Sequence, residues 1–288
     1  MTVLNSSVTA SAVHETSLYG ASLGRRVTFR DLLEAKVHGQ HWPMLTSYDA
    51  ITAGIFDSLG VPVLLVGDSA ATMVYGYDTT IPVTMEDLLP LVRAVVRGSK
   101  QAMVVADMPF GSYQSSVSAA IHAASRFIKE GGAHAVKLEG GLRVVPQVRA
   151  LVEAGIPVMA HVGLTPQSVH ALGGYRVQGR GEDGQRILED ALALQDAGAF
   201  AVVLEVIPAD LAAKITQALT IPTIGIGAGV NADAQVLVWQ DLVGLTPGAT
   251  PKFVTPYANV GEIITTAVRT WCDDVVNLKY PSADQSYK

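Results

Sequence analysis

Three apolar runs in this chain each end on a carboxylate, one after another: VPVLLVGDS places Asp68, QAMVVADMP places Asp107 and AHAVKLEGG places Glu139. Short apolar runs bounded by Gly and Pro read as buried parallel strands. One acid at a strand exit means little. Acids at three consecutive exits, each about one strand plus one helix apart, converge on a single point if the sheet closes. A barrel builds a site for a hard cation in that way.

Lys137 stands two residues before Glu139, so both side chains project to one face of their strand. A lysine and a glutamate inside a barrel cost several kcal/mol unless compensated. A divalent cation held by Asp68 and Asp107, with Glu139 reached directly or through water, compensates the acids. An all-oxygen set points to magnesium rather than zinc. The competing explanation is three unrelated helix caps or loop acids. Glu205 ends the run FAVVL, away from the other three, and suits a proton acceptor. A salt bridge to Arg180 or Lys214 would explain it equally. His161 ends another run and is open between metal ligand, acid/base group and core histidine with satisfied partners. Gly225, Gly227 and Gly229 do not spell the dinucleotide-binding pattern and follow the seventh run, not the first. They suit a close backbone approach to a ligand or a phosphate site of the barrel type. The chain carries no nucleophile elbow, no phosphate-cradling G-x-x-x-x-G-K-[ST] loop and no Cys/His metal spacing.

The elements that must position these groups recur in strict order. Strand-like runs cover 42–47, 61–66, 102–107, 133–138, 156–161, 200–206, 221–226 and 242–245. Ala/Leu-rich segments of helical spacing separate them; 185–197, with Ile187, Leu188, Ala191 and Leu192 on one stripe, is the clearest. Residues 27–36 form a short amphipathic helix ahead of the first strand. Alternation of this kind predicts a parallel sheet. Eight repeats fit a single-domain α/β fold, a (β/α)8 TIM barrel, better than an open doubly wound sheet. The barrel domain is expected over 25–280, with loose tails at 1–24 and 281–288. The Gly-rich stretch 173–184 (GGYRVQGRGEDG), between the fifth and sixth strands, reads as a flap with Arg180 as a contact to the site.

Bulk properties narrow the function. The 288 residues are 49% hydrophobic and 16% charged, enough for one large core. A net charge of −6 without a Lys/Arg run excludes a nucleic-acid or anionic-membrane surface. The one cysteine, Cys272, permits no intrachain disulfide, and its apolar neighbours predict a buried, inert helix residue. No apolar stretch approaches the roughly 20 residues of a membrane span, and the first 24 residues lack the pattern of a secretion signal. The cytoplasm is the expected location.

The segments SYDA, LLVGDS, PVT, ADMPFGSY, VKLEGG, HVGLTPQS, GGYRVQGRG, VLEVIP, GIGAG and PKF follow one another in an order and spacing that resemble the ketopantoate (3-methyl-2-oxobutanoate) hydroxymethyltransferase family. The resemblance runs from about residue 28 to about residue 280. It implies a barrel of the phosphoenolpyruvate/pyruvate type and a homodecamer of two pentameric rings. The implied reaction transfers a hydroxymethyl group from 5,10-methylenetetrahydrofolate to 3-methyl-2-oxobutanoate, on the path to pantothenate, with one Mg2+ per subunit. Residue by residue, it implies that Asp68 and Asp107 bind the metal and Glu139 completes its site. Ser69, with Asp68, Asp107 and Lys137, holds the 2-oxo acid, and Glu205 is the proton acceptor. Two rivals stand beside it: a magnesium-dependent lyase of 2-oxo acids on the same barrel, which needs no folate, and a ring-forming scaffold without activity, for which buried charges have no use.

Overall fold

In the computed structural model, which describes residues 17–20, 23–248 and 250–287, the apolar runs pair side by side in chain order. The strands are β1 (Trp42–Thr46), β2 (Val63–Val66), β3 (Met103–Asp107), β4 (Ala135–Glu139), β5 (Val158–Gly163), β6 (Ala201–Glu205), β7 (Thr223–Ile226) and β8 (Ala234–Leu237). They form a closed parallel barrel, β1 through β8. Seven of the eight expected strands are present. The eighth is not 242–245, where a short helix Trp239–Leu242 runs into a turn at Gly244, φ +65°. The strand lies earlier: in β8 buried Ala234 and Val236 flank exposed Gln235. That alternation is the signature of a half-covered strand, whereas the uninterrupted LVGL run belongs to the end of a helix.

Every second residue of a strand faces the barrel axis. Met44, Val63, Leu65, Met103, Val105, Ala135, Met159, Ala201, Val203, Ile224, Ala234 and Val236 share one buried cluster. Fully burying one such aliphatic side chain stabilises by roughly 1.5–3 kcal/mol. The cluster continues into the helix Phe29–Val37, which contributes buried Leu32 and Ala35. Phe29 also packs on Phe200, with ring centroids 5.9 Å apart. Thr28 starts this helix: its backbone N–H and hydroxyl donate to Asp31 Oδ2, both at 2.8 Å. The apolar filling continues through this helix, so polar chemistry is confined to the strands' C-terminal ends.

The expected N-terminal tail falls mostly at 1–16, 21 and 22, outside the described residues. Leu18 within it is buried with the barrel cluster, and Gly20 N–H donates to Gly60 O at 3.2 Å. The chain groups into two compact units, 1–236 and 237–288. The second contains the helix Val260–Val276, whose first turn is capped by the Asn259 side chain accepting from Glu262 N–H. Cys272 lies on this helix but is exposed, against expectation. The helix has no buried residue: Ile264, Val268 and Trp271, spaced like a core-facing stripe, are all exposed. The apolar neighbours of Cys272 therefore do not bury it, and among the described residues this helix keeps its apolar stripe exposed. Among the described residues, no helix is long and apolar enough to cross a membrane.

Candidate active site

The inward positions that are apolar at the base of the barrel become ionisable at its mouth. On β3 the sequence of inward residues is Met103, Val105, Asp107; on β4 it is Ala135, Lys137, Glu139; on β5 it is Met159, His161, Gly163. Register brings Asp107 beside Lys137, Glu139 beside His161 and Gly163 beside Glu205. Asp68 and Ser69 follow β2 after Gly67. Asp68, Asp107, Lys137, Glu139 and His161 are all buried.

The contacts follow from this register. Lys137 Nζ donates to Asp107 Oδ2 at 2.7 Å and stands 3.8 Å from Glu139 Oε1. Asp68 N–H also donates to Asp107 Oδ2, at 3.2 Å. His161 lies between two acids, with Nδ1 3.4 Å from Glu139 Oε1 and Nε2 3.3 Å from Glu205 Oε2. Glu205 pairs with neither Arg180 nor Lys214. Its side chain keeps 17% exposure, which leaves it within reach of a ligand at the mouth. Tyr48 OH and Ser69 Oγ share a hydrogen bond of 2.8 Å.

Gly163 adopts φ +95°, and a Cβ there would run into the Glu205 backbone carbonyl. Only glycine lets β5 and β6 approach in this way. Val206, directly after Glu205, adopts φ +49°, a costly conformation for a β-branched residue. Its N–H donates to Ile226 O at 2.8 Å, and its carbonyl accepts Gln178 N–H at 3.0 Å. The strained residue thus ties the loop after β5 to the base of Glu205.

Electrostatics separates the acids. Burial, then repulsion from Asp107 and Glu139, pushes the Asp68 carboxyl well above the usual range. Burial raises Asp107 too, against the pull of Lys137. Burial would also raise Glu139, but the contact with His161, the charge of Lys137 and the N–H of Gln167 outweigh it and hold it low. For His161, burial and Lys137 favour the neutral ring, yet Glu139 and Glu205 prevail and push it up to about 9. Lys137 is raised: burial opposes its charge, and Asp107, Glu139 and Asp68 more than compensate.

Sequence reasoning missed the neutral residues that hold these acids. Gln167, on the turn Pro166–Ser168, donates through Nε2 to Asp68 Oδ2 at 3.1 Å and through its backbone N–H to Glu139 Oε2 at 3.1 Å. Tyr113 OH donates to Gln167 Oε1 at 2.8 Å and accepts Glu139 N–H at 3.0 Å. Tyr48, Tyr113 and Gln167 all fall inside the quoted motifs, which was the available signal. Arg180 is exposed and, among the described residues, makes no hydrogen bond or ion pair. The residue of that loop that feels the site is Tyr175, raised by burial and then by Asp68, Glu205 and Glu139.

The carboxylate oxygens at the mouth are candidate donors to a hard divalent cation. One oxygen of each acid is occupied: Asp68 Oδ2 by Gln167, Asp107 Oδ2 by Lys137, Glu139 Oε2 by Gln167 N–H. Asp107 Oδ1 and Glu139 Oε1 are buried without a hydrogen-bond partner. Buried orphaned oxygens on acids are what such a cation would satisfy. Among the described residues, however, no three of His, Cys, Asp and Glu already stand as a complete cage. Beside the mouth lies a cavity of about 340 Å3, bordered by Gly140, Arg143, Gly163, Gln178, Arg186 and Asp190.

Known proteins resemble this chain in fold and in sequence. The barrel resembles phosphonopyruvate hydrolase, solved with oxalate and Mg++, at a TM-score of 0.58 and 13% identity, over 90% of this chain and 93% of that one. It also resembles 2,3-dimethylmalate lyase, a member of the PEP mutase/isocitrate lyase superfamily, at a TM-score of 0.56 and 17% identity, over 90% and 91%. These likenesses concern the fold. In sequence, the 3-methyl-2-oxobutanoate hydroxymethyltransferase of Frankia alni is 61% identical over 277 residues, covering 94% of this chain and 91% of the relative. The protein of that name from Thermobifida fusca is 59% identical over 272 residues, covering 94% and 97%. The family model described as ketopantoate hydroxymethyltransferase matches residues 26–283, and the chain belongs to that family.

Proposed function

We propose that this protein transfers a hydroxymethyl group from 5,10-methylenetetrahydrofolate to 3-methyl-2-oxobutanoate, giving ketopantoate for pantothenate biosynthesis. The observation that carries the reading is the arrangement of Asp68, Asp107 and Glu139, each with one oxygen fixed, and two of them with the other oxygen buried and without a hydrogen bond. Asp68 and Asp107 would hold a magnesium ion, with Glu139 completing its surroundings. Bound there, magnesium supplies positive charge that stabilises the negative charge developing on the oxo group as the enolate forms.

The chain's own residues do the rest. Ser69, oriented by Tyr48, and Lys137 bind the 2-oxo acid. Lys137 adds positive charge on the side where the enolate oxygen lies. Glu205 removes the proton from carbon 3; that carbon bonds to the methylene carbon as its two bonds to folate nitrogens break, water supplies the hydroxyl oxygen, and tetrahydrofolate leaves. His161 holds the Glu205 carboxylate in place from within the barrel. The cavity beside Gly140 and Gly163 offers room for the larger reactant. The loop 173–184 closes over the site, with Tyr175 rather than Arg180 facing the acids. We place the enzyme in the cytoplasm as a homodecamer, and the exposed apolar stripe on Val260–Val276 supports association.

The test incubates the protein with both substrates and magnesium and measures ketopantoate. Product that requires folate supports the proposal. Activity only in cleaving larger 2-oxo acids would favour a lyase, and no activity with any of them a scaffold.

A further inference from the structure

The geometry points to Gln167 as the positioning residue that sets the two outer carboxylates of the site, clamped in turn by Tyr113. This inference rests on the proposed function, because it concerns the acids that would receive the cation. Asp68 and Glu139 leave strands β2 and β4, which are not neighbours; β3 lies between them. Gln167 comes from beyond β5 and touches both, with Nε2 on Asp68 Oδ2 and its backbone N–H on Glu139 Oε2, each at 3.1 Å.

The orientation of its amide is fixed by what surrounds it. The nitrogen end faces two acceptors, Asp68 Oδ2 and Met108 O, the latter at 3.0 Å. The oxygen end faces two donors, Tyr113 OH at 2.8 Å and Gln114 Nε2 at 3.2 Å. A flipped amide would meet like with like at three of the four contacts, since the Tyr113 hydroxyl alone can accept as well as donate. Tyr113 closes the loop by accepting Glu139 N–H. Gln167 is 3% exposed and Tyr113 1%, so water cannot substitute for either partner. The clamp occupies the outer oxygen of each acid and leaves Glu139 Oε1 buried without a hydrogen bond, 3.4 Å from His161 Nδ1 and 3.8 Å from Lys137 Nζ. An outer partner of this kind typically changes metal affinity or activity by 10–100-fold when lost.

Gln167→Glu tests the idea because it keeps the shape and replaces the amide donor by an acceptor facing Asp68 Oδ2 and Met108 O. The readouts are magnesium affinity by calorimetry on metal-stripped protein, the melting temperature, and KM and kcat separately. The clamp predicts magnesium affinity about 10–100-fold weaker in folded Q167E, a smaller loss in Q167M and the smallest in Y113F. Unchanged affinity in folded Q167E, even with a lowered melting temperature, would make Gln167 a mere structural residue and overturn the inference. If Q167E does not fold, Q167M, which also removes the Nε2 donor to Asp68 Oδ2, decides by the same criterion. A wild type that binds no magnesium and makes no ketopantoate sinks the functional reading itself. A wild type that does both, beside an unaltered Q167E, sinks the clamp alone.

Discussion

Lys137 and Asp107 are register partners on adjacent strands, and their charged ends meet at 2.7 Å with only 5% and 1% of the side chains exposed. Breaking a buried pair by removing one partner costs more than the pair contributes, because a charge is left without compensation. Lys137→Met should therefore destabilise the protein by about 3 kcal/mol and lower turnover at least about 100-fold. Adding Asp107→Asn should recover much of the stability and none of the activity. Denaturant midpoints beside a ketopantoate assay check both halves. Equal stability of K137M and wild type would contradict the account.

Glu205 is the least buried of the site's carboxylates and touches neither Asp68 nor Lys137, but His161. Glu205→Gln should lower kcat by about 10²–10⁴-fold, the usual contribution of a positioned base, while magnesium affinity stays within about twofold. Steady-state kinetics and calorimetry on the same preparation measure the two. A parallel loss of metal binding would move Glu205 from proton transfer to the cation site.

His161 makes stability depend on pH with a definite sign. Its folded value of about 9 lies above the ordinary 6.5, so the folded protein binds the extra proton over that window. The stabilisation is complete below about pH 6.5 and is lost as pH rises through about 9, a change of about 3 kcal/mol. Chemical denaturation of metal-stripped protein at pH 6 and pH 9.5 should show it. The His161→Gln protein should lose most of that slope. A slope unchanged by the substitution would assign it to other groups.

The loop after β5 is anchored at one side by Gln178 N–H on Val206 O and at Gly179, where φ is +74° and a Cβ would lie 2.6 Å from Leu211 Cδ2. Trimming residues 173–177 keeps both anchors and removes the part of the loop proposed to close over the mouth. Turnover should fall by about tenfold or more with magnesium affinity unchanged. Unaltered turnover would end the lid assignment. Gly179→Ala should instead destabilise by roughly 1–3 kcal/mol, detected as a lower melting temperature.

Much of this was legible in the chain because strands impose a period of two. Lys137 and Glu139 share a face for that reason alone, and acids at successive strand exits meet once the sheet closes. The eighth strand was misread because its alternating AQVL pattern is weaker than the apolar LVGL that follows, which is the end of a helix. Gln167 and Tyr113 escaped notice because they are neutral and reach partners 99 and 26 residues away. Nothing in a residue's type announces such a contact. Arg180 drew attention by its charge, yet in that loop it is the Tyr175 hydroxyl that burial, and then the charges of Asp68, Glu205 and Glu139, push up. Cys272 was expected to be buried because its neighbours are apolar, but periodicity reports which face is apolar and not what covers it.

The most direct test is anomalous diffraction from crystals soaked with Mn2+ in place of magnesium, together with 3-methyl-2-oxobutanoate. The account predicts one strong peak at the barrel mouth, within about 2.0–2.3 Å of oxygens from Asp68 and Asp107 and close to Glu139. A peak elsewhere on the molecule, or none beside those carboxylates, would contradict it.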